Sequence, residues 1–213
     1  MNRIGREHGQ LQAMSASRPG SQNRAAATIM NARNQGRITG IHGTIKELIK
    51  FNEEFRAAIE AAAGARLNSV VVEDDGVAEK CLELLKQEKT GKLTFLPVNK
   101  VLGGRPRGKA ITIRGSEGSL GYVFEKVSYE SKYEGIVWYA FQDTVIVKDV
   151  KTARKYMVGA RLVTTDGDIF EASGAITGGY QDRSRSSADT EQKIIQLSIF
   201  IPSSAIFIRL FST

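Results

Sequence analysis

Four consecutive residues, Ser69-Val-Val-Val72, constrain this chain more than any others. An uninterrupted β-branched run has no polar face, so it reads as a strand covered on both sides, and covering it requires packed layers. The neighbouring sequence supplies them. Asn52 caps a helix in which Phe55, Ile59 and Ala62-Ala63 recur at helical spacing until Gly64. Asp74-Asp75 open another, with Val77, Cys81, Leu84 and Leu85 on adjacent turns and Thr90-Gly91 as its stop. Leu93 to Leu96 is the next strand, closed by Pro97. Upstream, Arg37 to His42 reads as a short strand. Thr44-Ile-Lys-Glu47 then fits a capping box, the Thr hydroxyl accepting from a helix N–H and the Glu reaching back.

A second unit follows the same alternation. Ala110-Ile-Thr-Ile113 and Tyr122-Val-Phe124 read as strands, and Lys132 to Phe141 as a helix with Tyr133, Ile136, Val137 and Tyr139-Ala140 in its apolar set. Thr144-Val-Ile-Val147 is a strand, Asp149 an N-cap, and Val150 to Tyr156 a helix. Asp166-Gly167, between Arg161–Thr165 and Asp168–Glu171, predicts a tight hairpin because Gly accepts positive φ. In Ser173-Gly-Ala-Ile-Thr-Gly-Gly179, glycines surround Ile176-Thr177, which predicts a bulge, a bend or the close approach of another backbone. The expected fold is mixed α/β: two lobes, about 37–100 and 120–180, of small sheets and covering helices within one domain, 37–180. Residues 1–36 form a flank, disordered to about residue 23 and then a short helix from Arg24 stopping at Gly36. Residues 181–213 are a tail of different composition, with Ile194 to Phe211 reading as aggregation-prone β.

A net charge of +7 over 213 residues favours an acidic partner, most simply nucleic acid, although a merely soluble basic protein has the same balance. From residue 99 no acid occurs until Glu117, while Lys100, Arg105, Arg107, Lys109 and Arg114 crowd the segment. Lys148, Lys151, Arg154 and Lys155 form a second cluster. Both are candidate DNA-binding surfaces and both also read as solvated faces. Interleaved aromatic residues are sparse, which favours contact with the phosphate backbone over base stacking. Gly103 to Lys109 has the spacing of a phosphate loop, but Ala110 stands where a hydroxyl should ligate a metal and Pro106 removes an N–H, so a flexible basic loop is the better reading.

Other chemistry finds little support. His8 and His42 lack cysteine partners, Cys81 sits on an apolar helix face, and Glu73-Asp74-Asp75 suits a helix N-terminus. No nucleophile, base and oxyanion set emerges, so neither catalysis, a metal nor a cofactor is expected. The single cysteine fits a reducing cytosol. The N-terminus has no secretory h-region, and Ile194 to Phe211 is broken by Gln196, Pro202 and Arg209, so no membrane partner is expected.

Several blocks in a fixed order resemble the hinge domain of SMC (structural maintenance of chromosomes) proteins. They are Gly43-Thr-Ile-Lys-Glu-Leu-Ile49, Ala58 to Gly64, Asn68-Ser-Val-Val-Val-Glu-Asp74, Gly91-Lys-Leu-Thr-Phe-Leu-Pro97, Asp143-Thr-Val-Ile-Val147, Val163-Thr-Thr-Asp-Gly-Asp168 and Ser173 to Gly179. The resemblance implies a prokaryotic or archaeal type of hinge: a non-catalytic module at the tip of a coiled coil that pairs with a second hinge, here as a homodimer. It serves chromosome condensation and segregation in the cytoplasm, on the chromosome. It places the dimer contact at Gly174, Ala175, Ile176, Thr177, Gly178 and Gly179, with DNA contact through basic surfaces as a secondary role. The ATPase head motifs of the parent family are not found, Gln142 replaces a usual Gly, and the tail departs from coiled-coil composition, which predicts a truncated or frame-shifted piece. The competing expectation is a stand-alone basic nucleic-acid-binding protein that does not dimerise.

Overall fold

The computed structural model describes residues 19–179, and local rules account for most of its first half. Helix α1 (Pro19–Asn34) is followed by strand β1 (Ile41–Thr44), helix α2 (Ile45–Leu48), strand β2 (Lys50–Phe51) and helix α3 (Arg56–Ala63). Strand β3 (Val70–Val72), helix α4 (Asp75–Glu88) and strand β4 (Phe95–Pro97) complete it. Helix α1 closes as a Schellman motif: the Arg37 N–H reaches the Ala32 carbonyl, the Gly36 N–H reaches Arg33, and Gly36 takes φ 68°. The capping box at α2 forms in both directions, Glu47 N–H to Thr44 Oγ1 at 3.3 Å and Thr44 N–H to Glu47 Oε2 at 3.1 Å. Asp74 caps α4 by accepting from the Val77 N–H at 2.8 Å.

The second half runs through helix α5 (Lys109–Arg114), strands β5 (Ser119–Tyr122) and β6 (Val127–Ser128), helix α6 (Glu134–Phe141), strand β7 (Val145–Val147) and helix α7 (Val150–Tyr156). Three strands end it: β8 (Leu162–Thr164), β9 (Ile169–Phe170) and β10 (Ile176–Thr177). The sheets are ordered β1-β3-β4, β10-β9-β8-β7-β5 and β2-β6. Strands β3–β4 and β7–β8 run parallel; the other pairs are antiparallel.

The two halves repeat one another closely. Strands β1 and β5 each shift register against their partners, at Ile41/Gly43 and Ser119/Gly121. Gly40 (φ 87°) and Gly118 (φ 82°) precede or open those strands, and a Cβ on either would stand 2.8 Å from a methyl of Val77 or Thr152, respectively. Glu125 Oε2 accepts from the Tyr122 N–H at 2.9 Å as Glu47 does from Thr44, and Asp149 caps α7 through Thr152 as Asp74 caps α4. Arg33 pairs with Glu47 and Arg114 with Glu125, so the last turns of α1 and α5 are tied down by the same device.

Strand alternation directs the core. Val70 and Val72 pack beneath α1 and α4 with Ile29, Ala32, Cys81 and Leu84. Val145, Val147, Leu162 and Phe170 pack beneath α5 and α7 with Ala110, Ile113 and Ala153. The intervening residues Val71, Leu96, Ile146 and Val163 point the other way, into a central cluster with Ile59, Ala62, Val137, Ala140 and Phe141 of α3 and α6. Pairing of Lys50 with Ser128 closes the joint between halves, and two arginines bond across it: Arg66 to the Ala140 carbonyl at 3.0 Å and Arg161 to the Ala62 carbonyl at 2.7 Å. His42 bridges it as well, 2.8 Å from Glu73 and 3.0 Å from the Tyr133 hydroxyl. From Pro19 to Gly178 the chain is a single packed unit.

Four local expectations need correction. Ala110-Ile-Thr-Ile113 is helical, because Ala110 and Ile113 share a buried face while Ile111 faces solvent; packing overrides the β preference of the isoleucines. The first strand begins at Ile41 rather than Arg37, and the strand expected over Tyr122–Phe124 is Ser119–Tyr122, followed by a 3-10 turn. The first helix starts at Pro19, ahead of Arg24. The expectation of disorder before residue 19 and that for the 181–213 tail lie outside the described residues.

Candidate functional site

The last three strands build an edge. Thr164 and Asp168 close the β8–β9 turn: the Thr164 N–H donates to the Asp168 carbonyl at 2.9 Å and the Asp168 N–H to Thr164 Oγ1 at 3.0 Å. Gly167 makes the turn possible with φ 98°. A second turn brings the chain back, with the Gly174 N–H on the Glu171 carbonyl and Glu171 N–H on the Ala175 carbonyl. Strand β10 then lies on β9, Ile176 opposite Phe170 and Thr177 opposite Ile169. Among the described residues nothing in the sheet follows β10, so its outer edge has no strand partner there. Ala175, Thr177 and Gly178 are exposed, and Ile176 holds 57% of its surface in solvent.

The glycines of this stretch serve different ends. Gly174 needs its φ of 95° for the turn. A Cβ on Gly178 would lie 2.1 Å from Asp168 Oδ1, so the absent side chain makes room for a group of the same chain. Gly179 takes φ 140°, where an L side chain is strained.

Sequence reasoning missed Val158. This β-branched residue is held at φ 74°, 54% exposed, and its Cγ2 would be 3.7 Å from a Cβ on Gly174. Strain of this kind persists where the surroundings enforce it. Here they do: the Lys109 ammonium bonds the Val158 carbonyl at 3.0 Å and the Gly159 N–H bonds the Ala172 carbonyl. No sequence signal announces a valine with positive φ. The result is an exposed valine beside the turn that leads into the β10 edge.

The expected basic residues fall on two surfaces. Lys109 and Arg114 belong to α5. Lys109 is occupied by Val158; Arg114 donates twice to Glu125, at 3.0 and 2.7 Å, and lies over the Tyr122 ring at 5.6 Å. Burial is the largest influence on Glu125 and opposes its charge, but Arg114 and the Tyr122 N–H outweigh it and hold the carboxyl below its ordinary range. Lys100 faces Asp75 at 3.7 Å. Arg105 and Arg107 make no ion pair among the described residues; the Arg107 N–H bonds Asp143. Lys151, Arg154 and Lys155 line a shallow open depression with Val150 on α7, where the Lys155 ammonium sits 5.1 Å from the Tyr156 ring centre. Lys148 precedes that helix, and its carbonyl accepts from Thr165 Oγ1. Helices α5 and α7 pack on the same apolar cluster, so sequence-distant cations share one side of the second sheet.

Residues 38–157 match the model of the SMC proteins flexible hinge domain. The chain is 40% identical over 168 residues to the chromosome partition protein Smc of Thermoplasma acidophilum and 41% identical over 170 residues to that of Pyrococcus furiosus. These matches take in 76% and 79% of this chain but 15% and 13% of those proteins. Among solved structures, the Pyrococcus furiosus Smc hinge with an extended coiled coil superposes with a TM-score of 0.66 at 37% identity, covering 90% of this chain and 66% of that one. An asymmetric dimer of the Geobacillus stearothermophilus SMC hinge gives 0.69 at 26% identity, covering 83% of this chain and 72% of that one. Matched in family model, sequence and fold alike, the chain belongs to the SMC hinge-domain family.

Proposed function

We propose that this chain is the non-catalytic dimerisation module of a chromosome-organising SMC protein, acting in the cytoplasm on the chromosome, with DNA contact as a secondary role. The observation that carries the reading is the edge strand β10, which has no strand partner on its outer side among the described residues and bears exposed Ile176. An exposed strand edge with an apolar side chain is a template for strand pairing with another chain. The residues 174–179 form the donor. Strand β4 is the acceptor: it ends the first sheet, and its counterpart in the repeat, β8, continues into β9 and β10. A second copy would supply at β4 what β9 supplies at β8. Pairing between identical hinges makes the assembly a homodimer.

Light scattering on the eluting full chain tests this. The wild type is expected to run as a dimer, and Ile176→Glu as a monomer with an unchanged far-UV spectrum. A wild type that stays monomeric at high micromolar concentration sinks the proposal. The charge of +7 favours a second reading, a basic nucleic-acid-binding protein that does not self-associate. Duplex binding that falls steeply with salt from a strictly monomeric protein would select it.

A further inference from the structure

The connection between the halves, residues 98–108, follows strand β4 and carries an exposed apolar residue. Leu102 is 83% exposed, the most exposed of the large apolar residues among the described residues. Yet the loop around it is pinned. The Val101 carbonyl lies where a Cβ on Gly135 would come within 2.2 Å, and Gly104 leaves no space for a Cβ against the Trp138 indole, also 2.2 Å. Pro106 is half-buried, and the Arg107 N–H is held by Asp143 Oδ2 at 3.2 Å. Arg105 and Arg107, on either side of Pro106, are exposed and make no ion pair among the described residues.

We propose that this loop inserts into the minor groove of duplex DNA, with Arg105 and Arg107 following the groove floor and Leu102 as an apolar wedge at a base step. The proposal rests on the DNA-contact reading above and names its site and groove. Three properties favour a groove over phosphates alone. Gly104 lies flat against Trp138, which leaves exposed Leu102, Arg105 and Arg107 as the side chains that reach outwards, and the minor groove is only about 6 Å wide. Proline fixes its own φ and biases Arg105 to extended backbone, so the two arginines stand roughly 6.6 Å apart along the chain, close to two base-pair steps of about 3.4 Å each. Arginine inserted into a narrow A/T-rich groove meets enhanced negative potential, and apolar residues are the usual wedges between steps. Lys100 and Lys109 stand at the two ends of the loop but are engaged with Asp75 and the Val158 carbonyl, which leaves the contact to the two arginines. The acids at its base, Asp75 and Asp143, are engaged with Lys100 and with the Arg107 N–H.

Fluorescence anisotropy of the full chain, with A/T-tract and G/C duplexes of equal length, tests the proposal at several salt concentrations. The expected result is roughly tenfold tighter binding to the A/T-tract, the size of one discriminating contact. A minor-groove ligand such as netropsin should erase that preference. Arg105→Gln/Arg107→Gln should also erase it, leaving weaker, salt-sensitive binding to both duplexes. Leu102→Ser should weaken A/T binding and leave the elution volume unchanged. Equal binding to both duplexes, unaffected by netropsin, overturns the loop assignment while leaving DNA contact standing. Loss of self-association in Leu102→Ser also overturns it, by making the residue a protein contact. No binding to either duplex at low salt ends both readings.

Discussion

Glu125 shows how one side chain serves several neighbours. It receives the Tyr122 N–H on one oxygen and Arg114 on the other. Its folded pKa is depressed, so its contribution is complete above the ordinary carboxylate range and is lost as pH falls through the depressed value. Glu125→Gln is expected to lower stability by about 0.5–1 kcal/mol near neutrality, as for other partly exposed pairs. Urea midpoints of the two proteins should converge under acid conditions. Gly178 makes a different point. Because Asp168 occupies the space of its missing Cβ, Gly178→Ala should cost about 1–3 kcal/mol, as overpacking does. Asp168→Ala should relieve part of that loss in a double-mutant cycle. A Gly178 variant that fails to dimerise therefore says nothing about dimer contacts, whereas Ile176→Glu does.

Elements with local signals were legible, and those set by packing were not. Strands β3 and β7 followed from unbroken β-branched runs, and α4 and α7 from Asp74 and Asp149 in front of apolar turns. The hairpin of β8 and β9 followed from Asp166-Gly167, whereas the glycines around Ile176 predicted a bulge, a bend or a close backbone approach and not the strand β10 that forms there. Helix α5 was hidden because Ala110-Ile-Thr-Ile113 prefers strand, and only burial of Ala110 and Ile113 against the second sheet makes it helical. Ile113→Ala should accordingly cost about 2–5 kcal/mol, the range for an emptied core position. Chemical denaturation measures it; a change within error would show that α5 contributes little to the fold. The repeat was only half legible: the alternation of elements and pairs such as Glu47 and Glu125 or Asp74 and Asp149 stand in the sequence, whereas Thr44 and Tyr122, or Val77 and Thr152, are unlike residues that align through the backbone.

At the scale of the whole molecule, the central cluster draws side chains from both halves, so the halves should unfold together. The single tryptophan, Trp138, reports from the second half. Leu96→Ala in the first half is expected to lower the denaturation midpoint seen by Trp138 fluorescence by the equivalent of about 2–5 kcal/mol, coincident with the circular-dichroism transition. Separate transitions would mean two independent lobes. The joint itself has a further meaning. Lys50 meets its own counterpart Ser128, and the equivalent helix carbonyls of Ala62 and Ala140 each receive an arginine from the other half, although Arg66 precedes β3 and Arg161 precedes β8. Such reciprocity is what a two-fold symmetric dimer shows at its interface. Here the two partners are covalently tethered through residues 98–108, so their encounter is intramolecular and independent of protein concentration. The chain is in this sense already a dimer of unlike halves, one whose sheet ends at β4 and one whose sheet is extended by β9 and β10.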